Sequence, residues 1–163
     1  MRTHLALALL ATLSTSVAAG ASEAERYTSL CIPADGREAC LQGRARFIET
    51  YEKAIRQDYT AQRNVAYMLG NKLGDAVPTD RVHACAWRMV IVLSGSPKVD
   101  SSDRGNMDLD CGRLPPDKVP AAKTRASAIN REILAAKGTK LPKPAAQPKK
   151  PAKELDGEAR PLF

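Results

Sequence analysis

Aromatic side chains are scarce in this chain. Phe, Trp and Tyr make up 4% of the 163 residues, and only one of them is a tryptophan. Proteins that bind single-stranded nucleic acids combine a basic groove with aromatic rings that stack on the bases. No cluster of aromatic and basic residues occurs here, so the sequence argues against nucleic-acid binding.

Histidine is scarcer still, with His4 and His83 only. No Cys-x-x-Cys pair accompanies them, and no glycine-rich loop follows a strand pattern. A histidine-based catalytic triad and a zinc site each require more partners than this chain offers. We therefore expect no catalytic residue, no metal and no cofactor, and we expect His83 to face solvent.

Only the N-terminus carries a long uncharged apolar run. It reads MRTHLALALLATLSTSVAAGAS, in which Arg2 precedes an apolar stretch and small residues follow. This pattern is typical of a secretory signal peptide, and the stretch is too short to span a membrane. We expect residues 1–21 to be removed by cleavage after Ala19 or Ala21, and the short, Ala-rich signal favours a bacterial periplasm, or secretion.

Four cysteines remain after this segment, which is an even number in an exported chain. Two disulfides are therefore expected, and three pairings are open. Cys31 and Cys40 enclose the turn sequence PADG, which favours local closure and leaves Cys85 to pair with Cys111.

Positive charge is concentrated at the C-terminus. The net charge is +7, yet residues 22–136 hold 17 Lys/Arg against 15 Asp/Glu, whereas residues 137–163 hold seven against three. Residues 138–163 are rich in Pro, Lys and Ala, a composition that predicts disorder because little apolar surface can be buried. This tail is expected to make at most a weak electrostatic contact with anionic envelope polymers.

Apolar residues recur at helical spacing in four stretches, with a further short helix expected around 104–110. No stretch shows sustained strand alternation. The prediction is an all-α domain of four to five helices over residues 40–137, preceded by an irregular segment at 22–39. Gly74 and Thr79 are expected to cap the second and third helices.

Paired carboxylates are the remaining catalytic signal, since glycosidases use two of them. Glu49 and Glu52 lie at helical salt-bridge spacing from Lys53 and Arg56, which indicates a solvated face. Asp108 and Asp110 lie in the segment MDLDC, which is interpreted as a polar loop beside a disulfide.

An ordered set of residues in 57–95 resembles one unit of the Sel-1-like repeats, which are helical pairs related to the tetratricopeptide repeat. A Val65-Ala66 pair stands where the family has Leu-Gly, and Asp75-Ala76 looks like an insertion. The residues that match are Asp58, Ala61, Gln62, Gly74, Val77, Asp80, Ala84, Trp87 and Gly95.

The resemblance implies a short α-α repeat domain in which Trp87 packs between helices. Proteins of this family act as scaffolds, so it also implies a non-catalytic module that holds another envelope protein or peptide. The alternative is a small periplasmic inhibitor or immunity protein that blocks a hydrolase or toxin through a protruding loop at residues 96–110.

Overall fold

The computed structural model describes residues 23–32, 36–72 and 74–137. The predicted signal peptide at 1–21 and the predicted disordered tail at 138–163 lie outside the described residues. All regular elements in the described ranges are helical, which confirms the all-α fold class. The five α-helices are α1 (Arg37–Ile55), α2 (Tyr59–Gly70), α3 (Arg81–Leu93), α4 (Ser101–Gly112) and α5 (Val119–Ala136).

Helix α3 lies at the centre of the fold and packs against α2, α4 and α5. It is buried on more than one side because few of its residues are polar. The buried residues are Ala84, Cys85, Ala86, Trp87, Arg88, Val90 and Ile91. Cys85 near the start of α3 and Ala122 near the start of α5 belong to one small apolar cluster. The last turns of both helices line one pocket. The two helices therefore run in the same direction.

Helices α1 and α2 form a tight hairpin. The carboxylate of Asp58 caps α2 by accepting a hydrogen bond from the backbone N–H of Ala61 at 2.8 Å. The buried Gln62 side chain donates to the Ala54 carbonyl at 3.2 Å and ties the second helix to the first.

The connection from α2 to α3 differs from the sequence prediction. Helix α2 ends at Gly70, and Gly74 lies in the following loop with a φ of 85°, so it does not cap the helix. Asp80, not Thr79, caps α3, because its carboxylate accepts from the His83 N–H at 3.0 Å. The Asp80 N–H donates to the Leu69 carbonyl at 2.8 Å, which joins the two helix ends directly.

Helix α4 occupies most of the stretch where a protruding loop was predicted at 96–110. A capping box starts it: Asp100 accepts from the Asp103 N–H, and the Asp103 carboxylate accepts from the Asp100 N–H. The helix has little apolar surface, so the sequence predicted only a short helix around 104–110. Contacts from α2 and α3 stabilise the longer helix. These contacts include the Arg63–Asp103 ion pair at 3.1 Å and the Arg88–Asp110 ion pair at 2.8 Å.

Both disulfides have the pairing that local closure favoured. Cys31 pairs with Cys40 across a Cα–Cα distance of 5.7 Å, and Cys85 pairs with Cys111 at 4.8 Å. The first bridge joins the N-terminal segment to α1, and the second joins α3 to α4. Disulfides form and persist in oxidising compartments, so the two bridges fit a chain that folds in one.

The residues before α1 pack onto the helical core. Apart from a short 3-10 helix at Glu23–Tyr27, residues 23–32 are irregular. Ala24 is buried, Tyr27 packs against the core, and the Ser29 N–H donates to the Ala76 carbonyl at 2.9 Å.

Candidate functional site

A cluster of aromatic rings joins α1 to the N-terminal segment and to α3. The Tyr51 ring lies 5.6 Å from Trp87, edge to face, and 5.8 Å from Tyr27. Phe47 packs against both tyrosines, and His83 lies 4.7 Å from Tyr27. Although aromatics are few in the sequence, tertiary contacts bring five rings together at one place.

Charged groups surround the two phenols. The Arg125 guanidinium pairs with Glu23 at 2.8 Å and with Glu132 at 3.4 Å. The Tyr51 hydroxyl donates to Glu132 at 3.0 Å, and the Tyr27 hydroxyl donates to Glu23 at 3.1 Å. Burial raises the pKa of both tyrosines far above the ordinary value, and the carboxylates raise it further. Both phenols therefore stay protonated and act as hydrogen-bond donors.

An open groove runs over this network between α1 and α5, and we call it the α1/α5 groove. Its volume is about 490 Å³. Small and apolar residues contribute most of its surface, whereas carboxylates and one arginine lie at its rim. The lining residues are Glu23, Ala24, Tyr51, Glu52, Ile55, Arg56, Glu132, Ala135 and Ala136.

A second depression, the helix-end pocket, lies where α3 and α5 end and α2 begins. Its volume is about 580 Å³. Gln57, Gln62 and Asn130 contribute amides, and two leucines form an exposed apolar part of its wall. Leu93 is 75% exposed and Leu134 is 62% exposed.

A third surface feature lies beside the Cys31–Cys40 disulfide. Leu30 and Ile32 flank Cys31, and each is 76% exposed. They line a small pocket of about 290 Å³ together with Cys40 and Asp75. We call this feature the Leu30–Ile32 edge.

The residues of the Sel-1-like pattern lie in α2, in α3 and in the turns next to these two helices. Five of them are buried: Ala61, Gln62, Val77, Ala84 and Trp87. Asp58 and Asp80 cap α2 and α3. Gly74 and Gly95 are exposed in loops, with φ of 85° and 69°. The pattern thus coincides with the packing and capping of one helical pair, and only Gln62 and Gly95 of its residues line the helix-end pocket.

Two sequence predictions about polar residues are wrong. His83 is largely covered, since its side chain is 22% exposed, the Tyr27 ring lies 4.7 Å from its ring, and its Nδ1 lies 2.6 Å from the Asp80 carboxylate. Asp108 and Asp110 lie in helix α4, where a short helix was also expected around 104–110, and not in a polar loop, and Asp110 pairs with the buried Arg88. Both errors come from contacts with elements that are distant in sequence, which local patterns do not report. The Glu49–Lys53 pair is present at 2.7 Å on an exposed face, as its spacing predicted.

Of the residues that line the α1/α5 groove, the sequence singled out only Glu52 and Arg56, and it indicated a solvated helix face for them. Arg125 and Glu132 are seven residues apart on α5, which places them on one face of the helix. That spacing indicates that Arg125 and Glu132 can form an ion pair. Their contacts with Glu23 and Tyr51, however, depend on how α5 packs against α1.

Within the described ranges, no group of three or more His, Cys, Asp or Glu side chains is arranged to hold a metal ion. None of the described helices is long and apolar enough to cross a membrane.

Comparison with family models, curated proteins and solved structures gives no match to this chain. The Sel-1-like resemblance of residues 57–95 therefore stays a prediction from the sequence. The described surface offers three candidates for a functional site: the α1/α5 groove, the helix-end pocket and the Leu30–Ile32 edge.

Proposed function

We propose that the chain is an exported, non-catalytic interaction module of the cell envelope, and that its α1/α5 groove holds a segment of another protein. The observation that carries this proposal is the groove itself: an open, mostly apolar channel between two helices with charged groups at its rim. Such a surface suits an extended or helical peptide, which can cover the apolar floor and pair its own charges with the rim.

The rigidity of the groove supports the proposal. Tyr51 at its floor is held by Trp87, Tyr27 and Glu132, so the floor is already ordered before a partner binds. A binding surface that is preorganised loses less conformational entropy on association than one that orders only in the complex.

The charges at the rim define the class of segment that fits. Glu23, Glu52 and Glu132 face the groove together with a single basic residue, Arg56. Glu23 and Glu132 already pair with Arg125, whereas Glu52 is exposed and has no ion pair within the described residues. A Lys or Arg in the bound segment would therefore meet Glu52 at the edge of the apolar floor.

Compartment and family resemblance are in keeping with this role. The two disulfides fit an oxidising compartment, and the predicted signal peptide favours the periplasm of a bacterium. The Sel-1-like pattern in residues 57–95 implies a scaffold, although in this chain it underlies the packing of one helical pair.

The test fills the groove with a large side chain. Ala135 is exposed at the groove, so Ala135→Trp should block it without disturbing the core. Ala121→Trp is the matched control, because Ala121 is exposed on the same helix but away from the groove. We expect a partner that is recovered from envelope extract by the wild type to be retained by Ala121→Trp and lost by Ala135→Trp. Equal recovery by both variants would show that binding does not use the groove.

The alternative is an inhibitor or immunity protein, and the Leu30–Ile32 edge favours it. Two large, exposed aliphatic side chains beside a disulfide form an apolar edge of the kind that can insert into a partner's cleft. This edge replaces the loop at 96–110 that the sequence suggested, since most of that loop is helix α4.

A variant at this edge separates the two functions. For an inhibitor, Leu30→Asp should abolish inhibition of the recovered enzyme, and Ala135→Trp should leave inhibition unchanged. For the interaction module, Ala135→Trp should lose the partner, and Leu30→Asp should retain it.

A further inference from the structure

The helix-end pocket differs from the α1/α5 groove in its chemistry, because primary amides line it in place of carboxylates. The amides belong to Gln57, Gln62 and Asn130, and each offers both a donor and an acceptor. Lys137 is the only charged residue among the described residues that line the pocket. This lining suits a ligand whose polar groups are uncharged and can both donate and accept hydrogen bonds.

Gln62 is the buried amide of the pocket, with 5% of its surface exposed. Its side-chain nitrogen donates to the Ala54 carbonyl at 3.2 Å. Because a carbonyl only accepts, this contact fixes the orientation of the amide and leaves Oε1 at its other end. Oε1 accepts no hydrogen bond from any described residue. A buried amide oxygen is normally hydrogen-bonded, so a donor group of a ligand in the pocket would satisfy it.

The pocket also has an apolar part. Leu93 and Leu134 line it with largely exposed side chains. Tyr59 adds the surface of its ring, since its hydroxyl already donates to the Asp103 carboxylate. A ligand that fits the whole pocket therefore has to combine apolar groups for the leucines with uncharged donors and acceptors for the amides.

An N-acetylated sugar has this combination of groups. Its acetamido group joins a methyl group to one N–H donor and one C=O acceptor, and each ring hydroxyl both donates and accepts. Three amides from separate elements suit a ligand with polar groups all around it, as a sugar ring has. An extended peptide presents its backbone groups along two opposite edges only. The volume of about 580 Å³ is within the range of small-molecule sites.

We propose that the helix-end pocket binds an N-acetylated saccharide. The acetamido methyl packs against Leu93 and Leu134, and a hydroxyl or N–H of the sugar donates to Oε1 of Gln62. The amides of Gln57 and Asn130 bind further hydroxyls at the mouth of the pocket. This site is separate from the α1/α5 groove, so it does not rest on the function proposed for that groove.

Titration with a disaccharide tests the proposal on the full, disulfide-bonded chain. The probe is N,N′-diacetylchitobiose, and the matched control is cellobiose, which has the same linkage with hydroxyls in place of the acetamido groups. Proton–nitrogen correlation spectra of labelled protein report directly on the side-chain amides of Gln57, Gln62 and Asn130. We expect saturable shifts of these amides with a Kd of about 1 mM or below. Cellobiose should bind at least about tenfold more weakly, because it lacks the methyl groups and the amide hydrogen bonds.

Two variants remove pocket amides at positions where the fold tolerates the change. Asn130 is exposed on α5, where alanine favours the helix. Gln57 has a φ of 69°, which glycine adopts more readily than glutamine. Asn130→Ala and Gln57→Gly should therefore remain folded, and each should weaken binding of the disaccharide by about fivefold.

Control variants separate the pocket from other surfaces. Asn64→Ala removes an exposed amide of α2 outside the pocket and should bind like the wild type, as should Ala135→Trp at the α1/α5 groove. The absence of saturable shifts, equal affinity for cellobiose, or unchanged affinity in both pocket variants would overturn the proposal. Tighter binding of the peptide mimic N-acetylalanine methylamide than of the disaccharide would also overturn it, by showing a peptide site.

Discussion

At the scale of single residues, Trp87 links the central helix to α1. It is 1% exposed, and its ring meets Tyr51 edge to face. Large buried aromatics contribute strongly to core stability because they remove the most apolar surface from water.

Replacement of Trp87 by alanine should therefore destabilise the fold. We expect Trp87→Ala to lower the free energy of unfolding by about 3–5 kcal/mol. The control is Tyr67→Ala, at a half-exposed position on α2, for which a change within about 0.5 kcal/mol is expected. Denaturant unfolding measures both. A Trp87→Ala variant with an unchanged midpoint would contradict the packing role, as would red-shifted tryptophan fluorescence in the wild type.

Asp80 caps α3 and also forms a hydrogen bond with the side chain of His83. Burial alone would raise the pKa of its carboxyl group, but hydrogen bonds from the His83 side chain and backbone lower the pKa below the ordinary value. A carboxyl whose folded pKa is depressed stabilises the protein above its unfolded pKa, and this contribution is lost as pH falls through the folded pKa.

We expect Asp80→Ala to cost about 1 kcal/mol of unfolding free energy at neutral pH, the usual effect of removing a helix cap. The difference from wild type should be constant at pH values well above about 3.9 and shrink below that value. Asp80→Asn should lower the free energy of unfolding by less than Asp80→Ala does, because asparagine also caps helices. Unfolding curves of the three proteins from about pH 2 to about pH 7 check this, and a difference that grows with acidity would refute it.

At the scale of secondary-structure elements, α1 and α4 show two different uses of glycine. In α1, Gly43 lets the loop after α2 approach closely, because an added Cβ would lie 2.8 Å from the Ala76 Cβ. In α4, Gly105 is exposed, and an added Cβ would meet nothing within 4 Å. Helix propensity favours alanine over glycine at both sites, so tertiary contact alone distinguishes them.

The two glycine-to-alanine substitutions should therefore have effects of opposite sign. Gly105→Ala should stabilise the protein by roughly 0.5–1 kcal/mol, because alanine restricts the unfolded chain and adds no clash. Gly43→Ala should destabilise it, since α1 or the loop must shift to remove the overlap with Ala76. Thermal unfolding of the two variants is the measurement. Equal stabilisation by both would mean that the loop does not pack on α1 at Gly43.

At the scale of the whole molecule, two disulfides stabilise a fold whose peripheral parts bury little apolar surface. Cys31–Cys40 attaches the N-terminal segment to α1, and Cys85–Cys111 attaches the polar helix α4 to the central helix. Both attachments require oxidation of the cysteines, and whether that occurs depends on the compartment in which the chain folds.

The N-terminal sequence predicts how the chain reaches such a compartment. We expect the mature protein to begin near Gly20 or Ser22, because small residues precede a change to polar sequence there. The intact mass of protein recovered from the periplasm or medium measures this. A mature mass that includes residues 1–19 would contradict export through a cleaved signal peptide.

Local patterns determined the helices and part of their packing. Helical periodicity located α1, α2, α3 and α5, Trp87 was expected to pack between helices, and the spacing of Cys31 and Cys40 favoured their pairing. These inferences succeed because a helix, a buried helical face and a short disulfide loop depend on residues that are near one another in sequence.

The surfaces that could carry function were decided only by the tertiary structure. The α1/α5 groove exists because α5 returns to α1 and brings Arg125 and Glu132 to Glu23 and Tyr51. His83 is covered and α4 is extended for the same kind of reason, since contacts from distant elements override the local polar sequence. Side chains from separate segments meet at the groove, and no single stretch of sequence contains enough of them to reveal it.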